Sequence, residues 1–170
     1  MELFAMPRED FDKIFCEMEK NFDKAERRDY VDALATLDNP HYSILLICEN
    51  GNTLGFITLW DIGEFTFAEH FVIFEEYRNS GYGARALSLL CKRYTNIVLE
   101  VEPPITDMKK RRIAFYERAG FVKNEREYIQ PSYREGEAGV PLIIMSYPTL
   151  LSDFDSAIPK IYNIVYGIGT

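Results

Sequence analysis

Two short stretches carry residue types at spacings that can do chemistry. The first, "YRNSGYGARAL" (residues 77–87), orders Arg78, Gly81 and Gly83 as Arg-x-x-Gly-x-Gly and runs straight into apolar residues at helical spacing. Glycines at a helix start let backbone N–H groups approach an anion closely, so the pattern suits a phosphate. Two close glycines alone fit more than one phosphate-bearing cofactor. The second stretch, "FYERAGF" (115–121), sets a phenol, Tyr116, near the end of a helix that stops at Gly120.

The elements that must position these residues follow from periodicity. Phe11, Ile14, Phe15, Met18 and Phe22 share one helical face after the start signals Pro7, Glu9 and Asp10. A second helix is expected over about 25–37, with Tyr30, Val31, Leu34 and Leu37 inward. "YSILLICE" (42–49), "TLGFITLW" (53–60) and "EFTFAEHFVIF" (64–74) read as an antiparallel three-stranded meander with turns at Gly51 and Gly63. The third strand feeds the glycine loop. A helix from Ser80, with Leu87, Leu90, Cys91 and Tyr94 on one stripe, then leads to a strand at 96–101, a crossover that implies parallel flanking strands. A helix over about 106–119 and strands at about 121–129 and 140–147 follow. The tail, 150–170, places Phe154, Ile158, Ile161 and Val165 at helical spacing around Pro159, a short kinked helix packed on the rest.

The fold class is therefore α/β in the α+β sense, one domain over 1–170. With 47% hydrophobic residues, 170 residues are enough for one sizeable core and too few for two. No apolar run approaches the roughly 18 residues needed to span a bilayer, and the N-terminus lacks a leader pattern, so a cytoplasmic protein without membrane contact is expected. Cys16, Cys48 and Cys91 each sit in an apolar pattern and read as buried thiols of a reduced compartment. With two histidines and no Cys-x-x-Cys, no metal site is expected. The net charge of −8 disfavours a nucleic-acid partner and mildly favours a cationic small substrate, although plain solubility explains it better.

The two motifs, their order and their distance around the strand-helix-strand unit resemble the GCN5-related N-acetyltransferase (GNAT) superfamily along nearly the whole chain. "AEHF", "LEVEPP" (99–104) and "YIQPSY" (128–133) resemble a bacterial branch of it. The resemblance implies a mixed sheet of about six to seven strands flanked by helices, splayed at an acetyl-CoA site, and no metal. By the same resemblance Arg78, Asn79, Ser80, Gly81, Tyr82, Gly83 and Ala84 cradle the coenzyme A pyrophosphate. The backbone of Phe71, Val72 and Ile73 meets the pantetheine arm, and Tyr116 is the acid that protonates the departing thiolate. The acceptor would be a primary amine of a small molecule or peptide, attacking directly in a ternary complex.

A proton must leave that amine, whose ordinary pKa is roughly 10. Glu69 is the candidate base, because strand alternation puts 67, 69 and 71 on one face and some family members carry a glutamate where this chain has Phe67. Alternatively Glu69 binds a loop or the substrate amine. His70 is expected on the opposite face as a hydrogen-bonded structural residue. Glu102, at the end of its strand, and Tyr133, in a polar loop, are weaker candidates for substrate contact. Lys109 stands where many members have a cofactor-contacting Asn, so that contact is either missing or replaced by Lys109, Arg111 or Arg112 reaching coenzyme phosphates. Two other readings stay open. A non-catalytic acyl-CoA-binding module would keep the loop without turnover. A nicotinamide-dinucleotide oxidoreductase would use Gly81, Gly83 and Ala86 with Glu100, although the polar run 75–80 separates that loop from its strand. A monomer and a homodimer are both compatible with the sequence.

Overall fold

In the computed structural model, which describes residues 1–169, the chain forms a sheet of eight strands with helices on both faces. A strand β1 (Glu2–Ala5), not expected from the sequence, precedes helix α1 (Phe11–Asn21) and the short α2 (Tyr30–Thr36). The meander is β2 (Tyr42–Glu49), β3 (Asn52–Asp61) and β4 (Thr66–Ile73), followed by α3 (Tyr82–Arg93), β5 (Ile97–Val101) and α4 (Asp107–Arg118). The expected strand at 121–129 is two fragments, β6 (Val122–Lys123) and β7 (Tyr128–Gln130), both paired to β8 (Val140–Tyr147). The chain closes with α5 (Phe154–Tyr166), which keeps its helical course through Pro159.

Strand order is β1-β2-β3-β4-β5-β8-β6, with β7 on the same edge of β8 as β6. All pairs are antiparallel except β4 with β5, as the α3 crossover requires. On one face Ala86, Leu87 and Leu90 of α3 and Ile113 and Tyr116 of α4 pack over Ile57, Leu59, Ala68 and Leu99. On the other face α1 covers Ile44, Leu46, Phe56 and Val72, while Ala157, Ile161 and Val165 of α5 cover Trp60, Phe67, Val98 and Ile144. The α1 stripe is buried as its spacing predicts, at Phe11, Ile14, Phe15 and Met18. In α2 the buried residue is Ala33; Tyr30 and Val31 are exposed, because a helix of seven residues presents little more than one face to α1. Cys16 is exposed and Cys48 and Cys91 are half-buried, so none is the fully buried thiol expected. Among the described residues, no helix is long and apolar enough to cross a membrane.

Two departures from regularity shape the centre of the sheet. First, β4 pairs with β5 only over Thr66↔Ile97, Phe67↔Val98 and Ala68↔Leu99, although both strands continue. Beyond that point the strands part. Second, a register shift opposite Thr58 and Leu59, whose partners are His70 and Ala68, makes Glu69 the extra residue of a β-bulge. Phe67 then faces α5 and Phe71 faces α4, while Glu69 and His70 turn to the same side. The expected alternation of 67, 69 and 71 fails for this reason, and His70 is not on the face opposite Glu69.

Tight β3–β4 contact depends on Gly55, where an added Cβ would lie 2.0 Å from the Val72 carbonyl oxygen. Backbone cannot yield cheaply there. Gly55→Ala is expected to destabilise the fold by about 3 kcal/mol, seen as a lower urea midpoint at unchanged slope; an unchanged midpoint would contradict this packing.

Candidate active site

The parting of β4 from β5 leaves one edge of β4 free. Phe74 N–H donates across to Leu54 O at 2.8 Å, and the Val72 carbonyl also faces β3, close to Gly55. By strand alternation the backbone groups of Phe71 and Ile73 therefore face the gap. Val72, grouped with them from the sequence, turns its backbone away and buries its side chain against α1. The Ile73 carbonyl accepts from Arg78 Nε at 2.9 Å, and Arg78 Nη2 also donates to Asn21 Oδ1. The Arg78 guanidinium thus braces the end of β4 against α1, and only its backbone belongs to the loop.

That loop opens α3 with Gly81 as N-cap at φ 79°, a left-handed conformation that strains residues with a Cβ. Asn79 also has positive φ, 61°. Among the described residues, the N–H groups of 79–84 find no backbone or side-chain acceptor, the first internal bond of the turn being Arg85 N to Gly81 O at 3.2 Å. Six donors at the positive end of a twelve-residue helix form an anion site in chemical terms. The two sequence motifs meet here: a Cβ at Gly83 would sit 3.5 Å from the Phe115 ring and 3.7 Å from Ile73. Phe115 in turn stacks on Phe71 at 6.2 Å between centroids.

Tyr116 lies next to this contact, on the α3/α4 face, with its ring against Phe115 and Phe121. Burial pushes its phenol up to about 12, with Arg112 opposing, so it remains a proton donor throughout the physiological range. Its hydroxyl has no hydrogen-bond partner among the described residues and is not a sealed polar atom. It is therefore free to donate to a ligand.

The opposite face of the gap is acidic. Glu69, Glu100 and Glu102 line a cleft of about 60 Å³ together with His70, Arg112, Gln130 and Tyr133. The volume suits a couple of waters or the head of an amine. A larger groove of about 200 Å³ lies at the far end of the strands, around Gly63 and Asn96, away from both motifs.

Glu69 is boxed in: its side chain is 1% exposed and accepts from Arg28 Nη1 at 2.6 Å, Tyr133 OH at 2.8 Å and Trp60 Nε1 at 2.9 Å. Arg28 itself stacks over the Trp60 and Tyr133 rings and donates to the Val165 carbonyl of α5. Burial alone would raise the Glu69 carboxyl, but Arg28 and the other donors hold it below the usual range. A carboxylate that acidic, with its lone pairs occupied, is chemically unsuited to accept a proton; Tyr133, expected at the substrate, is spent on the same carboxylate. His70 is engaged at both nitrogens, Nδ1 with Thr58 Oγ1 at 3.1 Å and Nε2 with Glu26 O at 3.0 Å. The carbonyl can only accept, so Nε2 carries the hydrogen. Burial holds this imidazole neutral, its pKa lowered.

Glu102 pairs with Lys109 at 3.0 Å and Arg112 at 2.9 Å, which commits two of the three basic residues considered for coenzyme phosphates and leaves Arg111 without an ion pair among the described residues. Glu100, given no primary role by sequence reasoning, differs from both neighbours. It accepts from Tyr128 OH and, at 3.1 Å, from Tyr166 OH, with no cation beside it. Burial, against the pull of those phenols, pushes its carboxyl up to about 8. Strand alternation alone could have found it facing α5; its partners, 28 and 66 residues away, could not be foreseen.

The family model described as "Acetyltransferase (GNAT) family" matches residues 6–121. The chain belongs to this family. A GNAT-family acetyltransferase chain from Bacteroides thetaiotaomicron is similar over 99% of both chains, at 34% identity and TM-score 0.93. A spermidine N-acetyltransferase variant from Vibrio cholerae shares the fold at 16% identity, TM-score 0.64, over 86% of this chain and 94% of the neighbour. So does an aminoglycoside 6'-N-acetyltransferase complexed with coenzyme A, at 17% identity, TM-score 0.60, over 86% and 96%. Comparison with curated proteins gives no significant match. The GNAT match ends at Phe121, so Tyr128, Tyr133 and Tyr166, which dress the acidic cleft, lie beyond it.

Arg28 is the group that makes a buried Glu69 carboxylate tolerable. Arg28→Met is expected to cost about 3–5 kcal/mol by leaving that charge unpaired, and Glu69→Gln in the same chain to restore much of it. Because the folded carboxyl titrates below its unfolded value, the wild-type contribution is complete above about pH 4.5 and is lost as pH falls through the folded pKa. Thermal unfolding of the wild type and both variants between pH 3 and 7 checks this; equal melting temperatures for all three would contradict it.

Proposed function

We propose that this GNAT-family chain is an N-acetyltransferase that moves the acetyl group of acetyl-CoA to a primary amine by direct attack in a ternary complex. The observation that carries the reading is the free edge of β4 at Phe71 and Ile73, which runs into the unpaired N–H groups of 79–84, with the Tyr116 ring against Phe115, itself stacked on Phe71. The free edge is suited to pair with the amide groups of a pantetheine arm, as an added strand would. The loop is suited to its pyrophosphate.

Acetyl-CoA, when bound, supplies an activated acetyl group with a thiol leaving group. The chain's residues do the rest. A gap-facing N–H of Phe71 or Ile73 donates to the carbonyl oxygen as negative charge develops there. Tyr116, protonated and partnerless, donates to the sulfur as it departs. The acidic cleft attracts the amine, and its small volume suits one amine head. The two N-acetyltransferase neighbours are named for amine-bearing molecules, spermidine and an aminoglycoside, which supports a cationic acceptor here. A reduced, cytoplasmic setting fits three free thiols.

A coenzyme A release assay across polyamines, aminoglycosides, amino acids and peptides with free N-termini is expected to give turnover with at least one class. Tyr116→Phe should lower kcat about 100-fold while leaving acetyl-CoA affinity unchanged, and Gly81→Ala should weaken that affinity. Tight acetyl-CoA binding with no turnover on any amine would favour a non-catalytic acyl-CoA-binding module instead.

A further inference from the structure

Four glutamates line the cleft: Glu26 accepts from the Asp23 backbone N–H at 3.1 Å, and two of the others are neutralised by cations. Glu69 has Arg28, and Glu102 has Lys109 and Arg112. His70, the other basic group there, has both ring nitrogens occupied. Glu100 is the one held only by phenols, the Tyr128 and Tyr166 hydroxyls. It is also the first residue of β5 beyond the last β4 pair, Ala68↔Leu99, so it stands where the gap opens. Its side chain faces α5, whereas Tyr116 packs on the α3/α4 face. The parting of β4 from β5 lies between the two faces.

We propose that Glu100 is the proton acceptor for the incoming amine. The inference rests on the acetyl-transfer reading and supplies the base which that reading lacks. The groups facing Glu100 are Glu69 from β4, Tyr128 from β7, Tyr133 from the loop before β8, and Tyr162 and Tyr166 from α5, while Glu26 from the segment before α2, His70 of β4, Glu102 after β5 and Arg112 of α4 line the same cleft and Arg28 lies behind Glu69. Glu69 and Glu102 thus have cations, whereas Glu100 has phenols only. An alkylammonium in the cleft supplies the missing positive charge and favours the ionised carboxylate. A midpoint of about 8 suits a base that must ionise near neutrality and still hold a proton once it takes one.

The step balances without any further reactant. One proton passes from the ammonium nitrogen to a Glu100 oxygen, and the freed lone pair forms the C–N bond to the acetyl carbonyl carbon. The C–S bond breaks with its electron pair on sulfur, Tyr116 protonates that sulfur, and the second nitrogen-bound proton restores the phenol. Glu100 then returns its proton to water through the cleft. Base and acid thus serve the forming and breaking bonds from opposite faces of the sheet.

The test uses the full chain with spermidine, an aminoglycoside and a peptide with a free N-terminus as acceptors. Glu100→Gln, whose amide can still meet both tyrosines, is expected to lose about 100-fold in turnover with acetyl-CoA affinity and melting temperature retained. Tyr166→Phe removes a donor that favours the ionised carboxylate, so the pH at which the rate rises should move up by roughly half a unit to one unit. Independently of activity, a ¹³C-labelled glutamate carboxyl should titrate near pH 8 in the wild type and be missing from Glu100→Gln. Turnover by Glu100→Gln within twofold of wild type, an unmoved profile for Tyr166→Phe, or no such titration would overturn the proposal. Absence of wild-type turnover with every acceptor would instead overturn the acetyl-transfer reading, and this inference with it.

Discussion

Strands that lie side by side in a sheet normally stay hydrogen-bonded to their ends, because an unpaired N–H or C=O inside a fold is costly. Here β4 and β5 stay paired for three residues each and then part while both run on. The opening is held by the structure around it. Gly55 draws β3 hard against β4 from the other side, the bulge at Glu69 bends β4 where pairing stops, and Arg78 caps the free Ile73 carbonyl while reaching to α1. A strand edge whose remaining backbone groups are unpaired suits a ligand with amide groups of its own. The glycine loop and Tyr116 take their meaning from standing at that edge.

Charge organises the other face of the opening. A buried carboxylate survives by finding a cation, by gathering donors, or by taking a proton. Glu69 takes the first two courses and becomes a fixed anion, joined through Arg28 to the loop before α2 and to α5. Glu102 is tied to α4 by two cations. Glu100 has phenols only, and its ionisation is displaced toward neutrality. Three of the four glutamates that line one small cleft are thereby given different chemistry by their partners, one structural, one bridging and one poised to exchange a proton.

The sequence carried the architecture through features that are local. The α1 stripe, the meander, the helix entered through Gly81 and the helix ended at Gly120 each follow from residues within a turn or two of one another, and the order of the two motifs pointed to the family. Where partners are distant, the sequence was silent. The bulge at Glu69 alters no hydrophobic pattern, yet it turns His70 to the same side as Glu69 and Phe71 to the other. The bond between Arg28 and Glu69 spans 41 residues and converts the expected base into an ion-paired anchor. β1 is four residues of mixed polarity on the sheet edge, too short to announce itself. Alternation fixes which of Phe71, Val72 and Ile73 share an edge but not which edge faces the gap, so Val72 is indistinguishable from its neighbours in the sequence.

The account stands on coenzyme A occupying the gap beside β4. Amide hydrogen exchange with and without acetyl-CoA reads that directly, residue by residue. Slowed exchange at Phe71 and Ile73 and across 79–84, with β1 and β2 unchanged, is the result predicted. Acetyl-CoA binding that leaves those amides unaltered and protects another part of the sheet would contradict it.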